Sequence, residues 1–202
     1  MAQDSLFEQL KHPNPNLRQR AMVEIVESCD ETTIPKLMAN LDEEDVVYRR
    51  ASVKTLGAIG TDTVPPLLEV LLNHEDVTAR GSAAKALAQV ALNYPEDPFP
   101  TDGIQGLKTA LNDPNPVVSI ASAMALGEIG EPALDPLLEV MATTDNIALE
   151  VSITNAIASI GGEKALSTLA RLAEDESLDT YVKETAVSAL SRLELVMKNQ
   201  PG

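Results

Sequence analysis

Apolar residues recur along this chain at helical spacing, in blocks separated by short polar turns. The stretch from Asp45 to Gly60 shows the pattern best. Asp45 is a side-chain acceptor placed to cap a helix start. Arg49 follows one turn later on the same face, within reach of Asp45. Ala51, Val53, Leu56 and Ile59 supply small and branched packing positions, and Gly57 with Gly60 allow a tight helix end. The first twelve positions return at Asp76–Leu87, and all sixteen return at Asn115–Gly130. Aligned on Val26, Leu56, Leu87, Leu126, Ile157 and Leu190, the copies step by 30, 31, 39, 31 and 33 residues. Such a period marks stacked repeats.

Each copy divides into two helical stretches around a turn. The units run over residues 4–29, 32–60, 62–92, 102–130, 132–161 and 164–195, with an insertion over 92–103 that accounts for the long step. A helical pair of about 30 residues cannot bury its apolar face alone, whereas stacked pairs can. The expectation is an all-α solenoid of about six helical pairs, read as one domain over 1–202, with the second helices on the concave side. Met197–Gly202 are expected to fray.

Composition narrows the class. Hydrophobic residues make up 44% and aromatics 2%, with no Trp, three Tyr and two Phe, so Ala, Leu, Val and Ile carry the core. That suits close helix packing better than a β-sandwich. A net charge of −16 opposes nucleic-acid binding and suits basic partners. No apolar run approaches the ~18 residues of a membrane span. The N-terminus lacks the apolar core of a signal peptide, so a cytoplasmic location is expected. One cysteine, Cys29, excludes an internal disulfide and fits a reducing compartment.

The motif Asp-x-x-x-Arg-x-x-Ala…Leu-Gly-x-Ile-Gly, as in Asp45, Arg49 and Leu56–Gly60, resembles HEAT-like repeats over nearly the whole chain. The short repeat is most similar to the phycobilin lyase family. Chain length, His12–Asn16 and Asn112–Pro116 look similar to the smaller of the two chains that make up its E/F-type lyases. Such proteins attach open-chain tetrapyrroles to phycobiliprotein cysteines in cyanobacteria. The resemblance implies a transient bilin, phycocyanobilin, no intrinsic cofactor, and a protein partner: a second HEAT-repeat lyase chain or a phycobiliprotein. Similar chains act in phycobilisome disassembly or iron–sulfur assembly, so a non-enzymatic protein-binding scaffold is the alternative. Isomerising members carry a Cys/His motif that this chain lacks, its only such residues being Cys29, His12 and His74.

Candidate sites follow from what the repeat does not absorb. The Asp45–Arg49 and Asp76–Arg80 pairs recur with the period and read as capping and stacking. Arg18, Arg20, Arg49, Arg50, Lys54, Arg80 and Lys85 cluster on the second helices of repeats one to three, with Tyr48 among them. Arg pairs bidentately with carboxylates, so this surface suits bilin propionates or an acidic protein patch, or it is a solvated face. Tyr94 and Phe99 in the insertion either form a contact site or plug a gap between repeats. Cys29 is expected to be buried and inert, and His12 and His74 to be solvated turn residues. No nucleophile–base arrangement or metal-ligand spacing is present, so no catalytic residue or metal site is assigned.

Overall fold

The computed structural model describes residues 2–199, with side chains described from residue 4. All regular elements among them are helical. In chain order they are α1 (Ala2–Gln9), α2 (Pro15–Glu27), α3 (Thr33–Met38), α4 (Val46–Ile59), α5 (Val64–Asn73), α6 (Val77–Asn93), α7 (Thr101–Ala110), α8 (Pro116–Ile129), α9 (Leu134–Met141), α10 (Ile147–Ile160), α11 (Gly162–Glu174) and α12 (Thr180–Asn199). Six consecutive pairs match the period read from the sequence. Several boundaries differ. Asn93 extends α6 one residue beyond the expected repeat end, α7 begins at Thr101 within the expected insertion, α11 begins at Gly162, ahead of the expected residue 164, and Met197–Asn199 are helical rather than frayed. Residues 200–202 of the expected frayed tail lie outside the described residues.

The chain divides into two compact units, Met1–Gly106 and Leu107–Gly202. In the first, α2 packs on α4 and α4 on α6, while α1, α3 and α5 pack on their own second helices. Its core is built from Leu10, Ile25, Leu37, Leu56, Leu67 and Leu87, all fully buried. In the second, α8 packs on α10 and α10 on α12, with α9 and α11 against them. Leu111, Leu126, Leu137, Ile153, Ile157 and Leu169 fill that core.

The second helices start alike. Asn14, Asp45, Asp76, Asn115 and Asn146 each adopt an extended backbone and accept an N–H of the following turn through the side chain. Asp179 does the same toward the Tyr181 N–H. These N-caps fix the register of every repeat. They show that Ile25, eleven residues after Asn14, is the counterpart of Leu56, one position before the expected Val26. The Ala79 N–H, and less strongly the Thr78 N–H, hold the Asp76 carboxyl below its ordinary range.

The two glycines of Leu-Gly-x-Ile-Gly do different work. Gly60 and Gly130 end their helices at φ 99° and 88°, where a side chain is strained. Gly57 does not end the helix, as expected from the sequence, but sits inside α4. A Cβ there would lie 2.2 Å from Gln89 Cβ and 2.9 Å from the Gln89 carbonyl carbon. Its missing side chain lets α6 approach α4.

Candidate functional site

The basic residues of repeats one to three fall into two sets once their partners are seen. Arg18, Arg49 and Arg80 each stand four residues after an N-cap and turn back on the loop that precedes it. Arg18 Nη1 donates to the carbonyls of His12 at 2.6 Å and Pro13 at 2.9 Å. Arg80 Nη1 donates to those of His74 at 2.9 Å and Glu75 at 3.0 Å. Arg49 Nη1 donates to the Glu43 carbonyl. The expected Asp45–Arg49 side-chain contact is therefore replaced. Asp45 spends its carboxylate on the Val47 and Tyr48 N–H groups, and Arg49 spends its guanidinium on a backbone carbonyl. The same loops use His12 and His74 locally, since each Nδ1 accepts the N–H of the next N-cap. These arginines are latches on their turns.

The second set is open. Arg20, Arg50, Lys54 and Lys85 are exposed, and none of the hydrogen bonds or ion pairs among described residues involves them. Arg50 and Lys54 stand one turn apart on α4 and border two grooves. One, of about 300 Å³, runs between α4 and α6 past Lys85, Ser82 and Gln89. The other, of about 290 Å³, runs between α2 and α4 past Gln19, Met22 and Val47. The arrangement offers three open cations above walls that mix apolar residues, Met22, Val47 and Val53, with Gln19, Ser82 and Gln89. Cations so placed can hold carboxylates while the walls take apolar surface.

Three expected contact residues are placed elsewhere. Tyr48 is 8% exposed and belongs to the core, with Lys11 Nζ 4.8 Å above its ring. It stands three residues after its N-cap, where the other copies put the half-buried Leu17 and the buried Ala79, Val118, Leu149 and Val182. Aligning that column in the sequence would have revealed this. Tyr94 is half-buried, its hydroxyl donating to the Ala58 carbonyl at 2.6 Å and its ring lying over Gly60. Phe99 is half-buried with its ring over Gly103, where a Cβ would lie 2.5 Å from Phe99 Cε1. Both insertion aromatics thus act as plugs. Cys29, expected to be buried, is exposed beyond the end of α2. Among the described residues no group of His, Cys, Asp and Glu is arranged to hold a metal ion, and no helix is long and apolar enough to cross a membrane.

The second helices of the other unit present a different face. Val117, Ile120 and Met124 are exposed along α8, and Ile147 begins α10 in the same condition. In the sequence these helices are marked only by their lack of basic residues.

Comparison with known proteins places this geometry. A family model described as HEAT repeats matches residues 4–88, 64–153 and 104–191. The chain is 55% identical to the "Uncharacterized phycocyanin operon protein Z" of Pseudanabaena tenuis (strain PCC 7409), over 97% of each chain. It is 32% identical to the bilin biosynthesis protein CpeZ of Synechococcus sp. (strain WH8020), over 89% of this chain and 99% of that one. Its fold is similar to the complex of CpcE and CpcF of phycocyanin lyase from Nostoc sp. PCC7120, with a TM-score of 0.52 and 21% identity over 77% of this chain and 97% of that one. The repeats and these relatives together establish that the chain is a HEAT-repeat protein of the family that includes the phycocyanin operon protein Z and the bilin biosynthesis protein CpeZ.

Proposed function

We propose that this protein serves the attachment of bilins to phycobiliproteins, holding a bilin or its client for a protein partner. The observation that carries this reading is the open cationic set on α4 and α6: Arg50, Lys54 and Lys85, free of structural duties and set along two grooves. Open-chain tetrapyrroles carry two propionates on an extended frame, and the paired cations Arg50 and Lys54 are placed to hold such carboxylates. The catalytic contribution in this reading is positioning. Fixing the propionates sets the ring that reacts against the client cysteine and lowers the entropic part of the barrier. No side chain is assigned to proton transfer. The relatedness to CpeZ, named for bilin biosynthesis, supports the same reading. Phycocyanobilin as the chromophore, and a second HEAT-repeat chain or a phycobiliprotein as the partner, belong to the proposal.

The test is absorption spectroscopy of phycocyanobilin mixed with the protein, alone and with the partner chain. A shifted bilin band is expected in at least one mixture. Arg50→Glu with Lys54→Glu should weaken that binding about tenfold or more, the worth of one charge-assisted contact pair, with unchanged circular dichroism. Arg18 is left intact in this design because reversing it would break its own turn. Absence of any shift in both mixtures would sink the reading. A second reading, a non-enzymatic scaffold, is favoured by the exposed apolar row of α8 and would leave phycobiliprotein binding intact without bilin.

A further inference from the structure

The two grooves beside Arg50 and Lys54 differ at their far ends. Between α4 and α6 the groove stops at Gln89. There Gly57 lets Gln89 come against α4, its Cβ 2.2 Å from where a Cβ on Gly57 would stand. Between α2 and α4 the same two columns, twelve and thirteen residues after the N-caps, hold Val26 and Ala58. Val26 is the largest member of a column that otherwise reads Gly57, Ala88, Gly127, Ala158 and Ser191. A branched side chain thus stands where glycine brings the next pair together, and a methyl group faces it in place of glutamine. A second cavity of about 260 Å³ opens there, walled by Val23, Val26, Glu27 and Ala58. It shares Gln19 and Met22 with the cavity beside the cations, so the two form one channel.

The ends of that channel are chemically unlike. Arg50 and Lys54 are open cations at one end. Met22, Val23 and Val26 make the other end apolar, with Val23 46% exposed, and Glu27 closes it with a negative charge. From Arg50 to Ala58 the channel follows α4 for about 12 Å, at ~1.5 Å per residue. The opening of about 540 Å³ between α10 and α12 lies at the same end of its pair, but α12 carries Glu184 and Ser188 where α4 carries Arg50 and Lys54. Only between α2 and α4 does an apolar channel lead away from paired, open cations.

We propose that this channel, and not the α4/α6 groove, takes a bilin lengthwise, with its propionates on Arg50 and Lys54 and one terminal ring among Met22, Val23 and Val26. The inference rests on the bilin reading given above and adds the groove and the direction. Propionates stand on the two middle rings of an open-chain tetrapyrrole. Anchoring them on the cations therefore carries a terminal ring onward over the apolar lining, whose burial adds affinity. Glu27 repels a carboxylate from the far end, so the reverse placement is disfavoured. The ring that reacts has to reach a client cysteine. The ring sunk in the channel is then the terminal ring that does not react, and the reactive one emerges past Pro15 and Val47.

The test uses the full chain and phycocyanobilin, in whichever mixture, with or without the partner chain, gives the shifted band. With the chain labelled with nitrogen-15, bilin should move the amides of Met22, Val23, Val26 and Ala58 and leave Ser82 and Gln89 in place. Ala58→Gln puts into this channel the side chain that closes the other groove, and should weaken binding about tenfold or more. Val23→Glu, at an exposed position and so safe for folding, sets a carboxylate in the apolar end and should do the same. Val187→Glu, an equally exposed valine on α12, should stay within about twofold of wild type, because a remote surface charge is screened. Shifts centred on Ser82 and Gln89, with both channel variants binding as wild type, would overturn the channel and leave the bilin reading standing. Equal weakening by Val187→Glu would overturn it as well, since net charge alone would then explain the loss. A wild type that shifts no bilin band in any mixture would remove the bilin reading itself, and the channel assignment with it.

Discussion

Nine residues after its N-cap, α4 carries Lys54 and α8 carries Met124; five residues after, α4 carries Arg50 and α8 carries Ile120. The register is the same and so is the exposure, with Met124 63% and Ile120 40% accessible. Only the chemistry differs, cationic on α4 and apolar on α8. The latch column changes too. Arg18, Arg49 and Arg80 bind their turns in the first unit, whereas Ser119, Glu150 and Lys183 stand there in the second. Buried columns are held by packing, because within each unit neighbouring repeats meet through them. Exposed columns are released from that demand, and the two units have used the freedom differently. The first has tied turns, plugged its insertion and left a cationic face open. The second ties its turns through other groups, Ser119 to the Pro116 carbonyl and Lys183 to Glu176, and carries an apolar row on α8.

The largest expected effect tests whether the first unit is in fact the more tightly stacked. Gly57→Ala would put a Cβ 2.2 Å from Gln89 Cβ, with Gln89 backbone behind it. Overpacking against backbone costs about 3 kcal/mol, offset by about 1 kcal/mol of helix propensity. The net is a loss of about 2 kcal/mol, a fall of roughly 4–8 °C in melting temperature. Gly127→Ala meets Ala156 at 3.1–3.3 Å and should cost about half as much. Equal melting temperatures for the two variants would remove the distinction between the helix pairs.

A buried polar pair gives the next contrast. Asn40 Nδ2 donates to Ser52 Oγ at 3.1 Å, both side chains being buried. The counterparts, five residues before and seven after the N-cap of α8, are Ala110 and Ser122. Ser122 kept the hydroxyl and lost the partner, and among the described residues its Oγ is the buried side-chain atom left without a hydrogen bond. Asn40→Ala should therefore cost about 1–2 kcal/mol, while Ser122→Ala should be neutral or stabilise by up to about 1 kcal/mol. Chemical denaturation measures both. A destabilised Ser122→Ala would mean that the hydroxyl has a partner after all.

The repeat made the fold legible. Period, N-cap residues and apolar columns are local properties, and stacking adds nothing that contradicts them. The site was half legible. Arg50, Lys54 and Lys85 lie in exposed columns whose residue type changes from repeat to repeat, which is why they stand out in the sequence and why the structure leaves them open. Tyr48 and Arg18 were misplaced for the opposite reason, since each conforms to a column, one buried and one latched. The insertion aromatics could be resolved only by the fold, because Tyr94 acts through Gly60, far away in sequence. Cys29 sits beyond a helix end, where periodicity says nothing about burial.

The smallest effect concerns the latch column. Glu150 occupies the place of Arg49, and partial burial first, then the charges of Asp179 and Asp145, push its pKa above the ordinary 4.5. A raised folded-state pKa means that the native state binds the proton more tightly than the unfolded chain does. The carboxylate then detracts from stability above the folded-state pKa, and the penalty fades as pH falls through that value. Glu150→Gln should stabilise the protein at pH 7 by a few tenths of a kcal/mol, a small figure because the group is mostly solvated. Below the ordinary glutamate value the variant and the wild type should melt together. Thermal melts at pH 7.5, 5.5 and 3.5 in low salt would trace this, with the difference shrinking at 0.5 M NaCl as the repulsion from Asp179 and Asp145 is screened. A difference that persists at pH 3.5 would assign the effect to packing, and the latch column would then differ between the units in shape and not in charge.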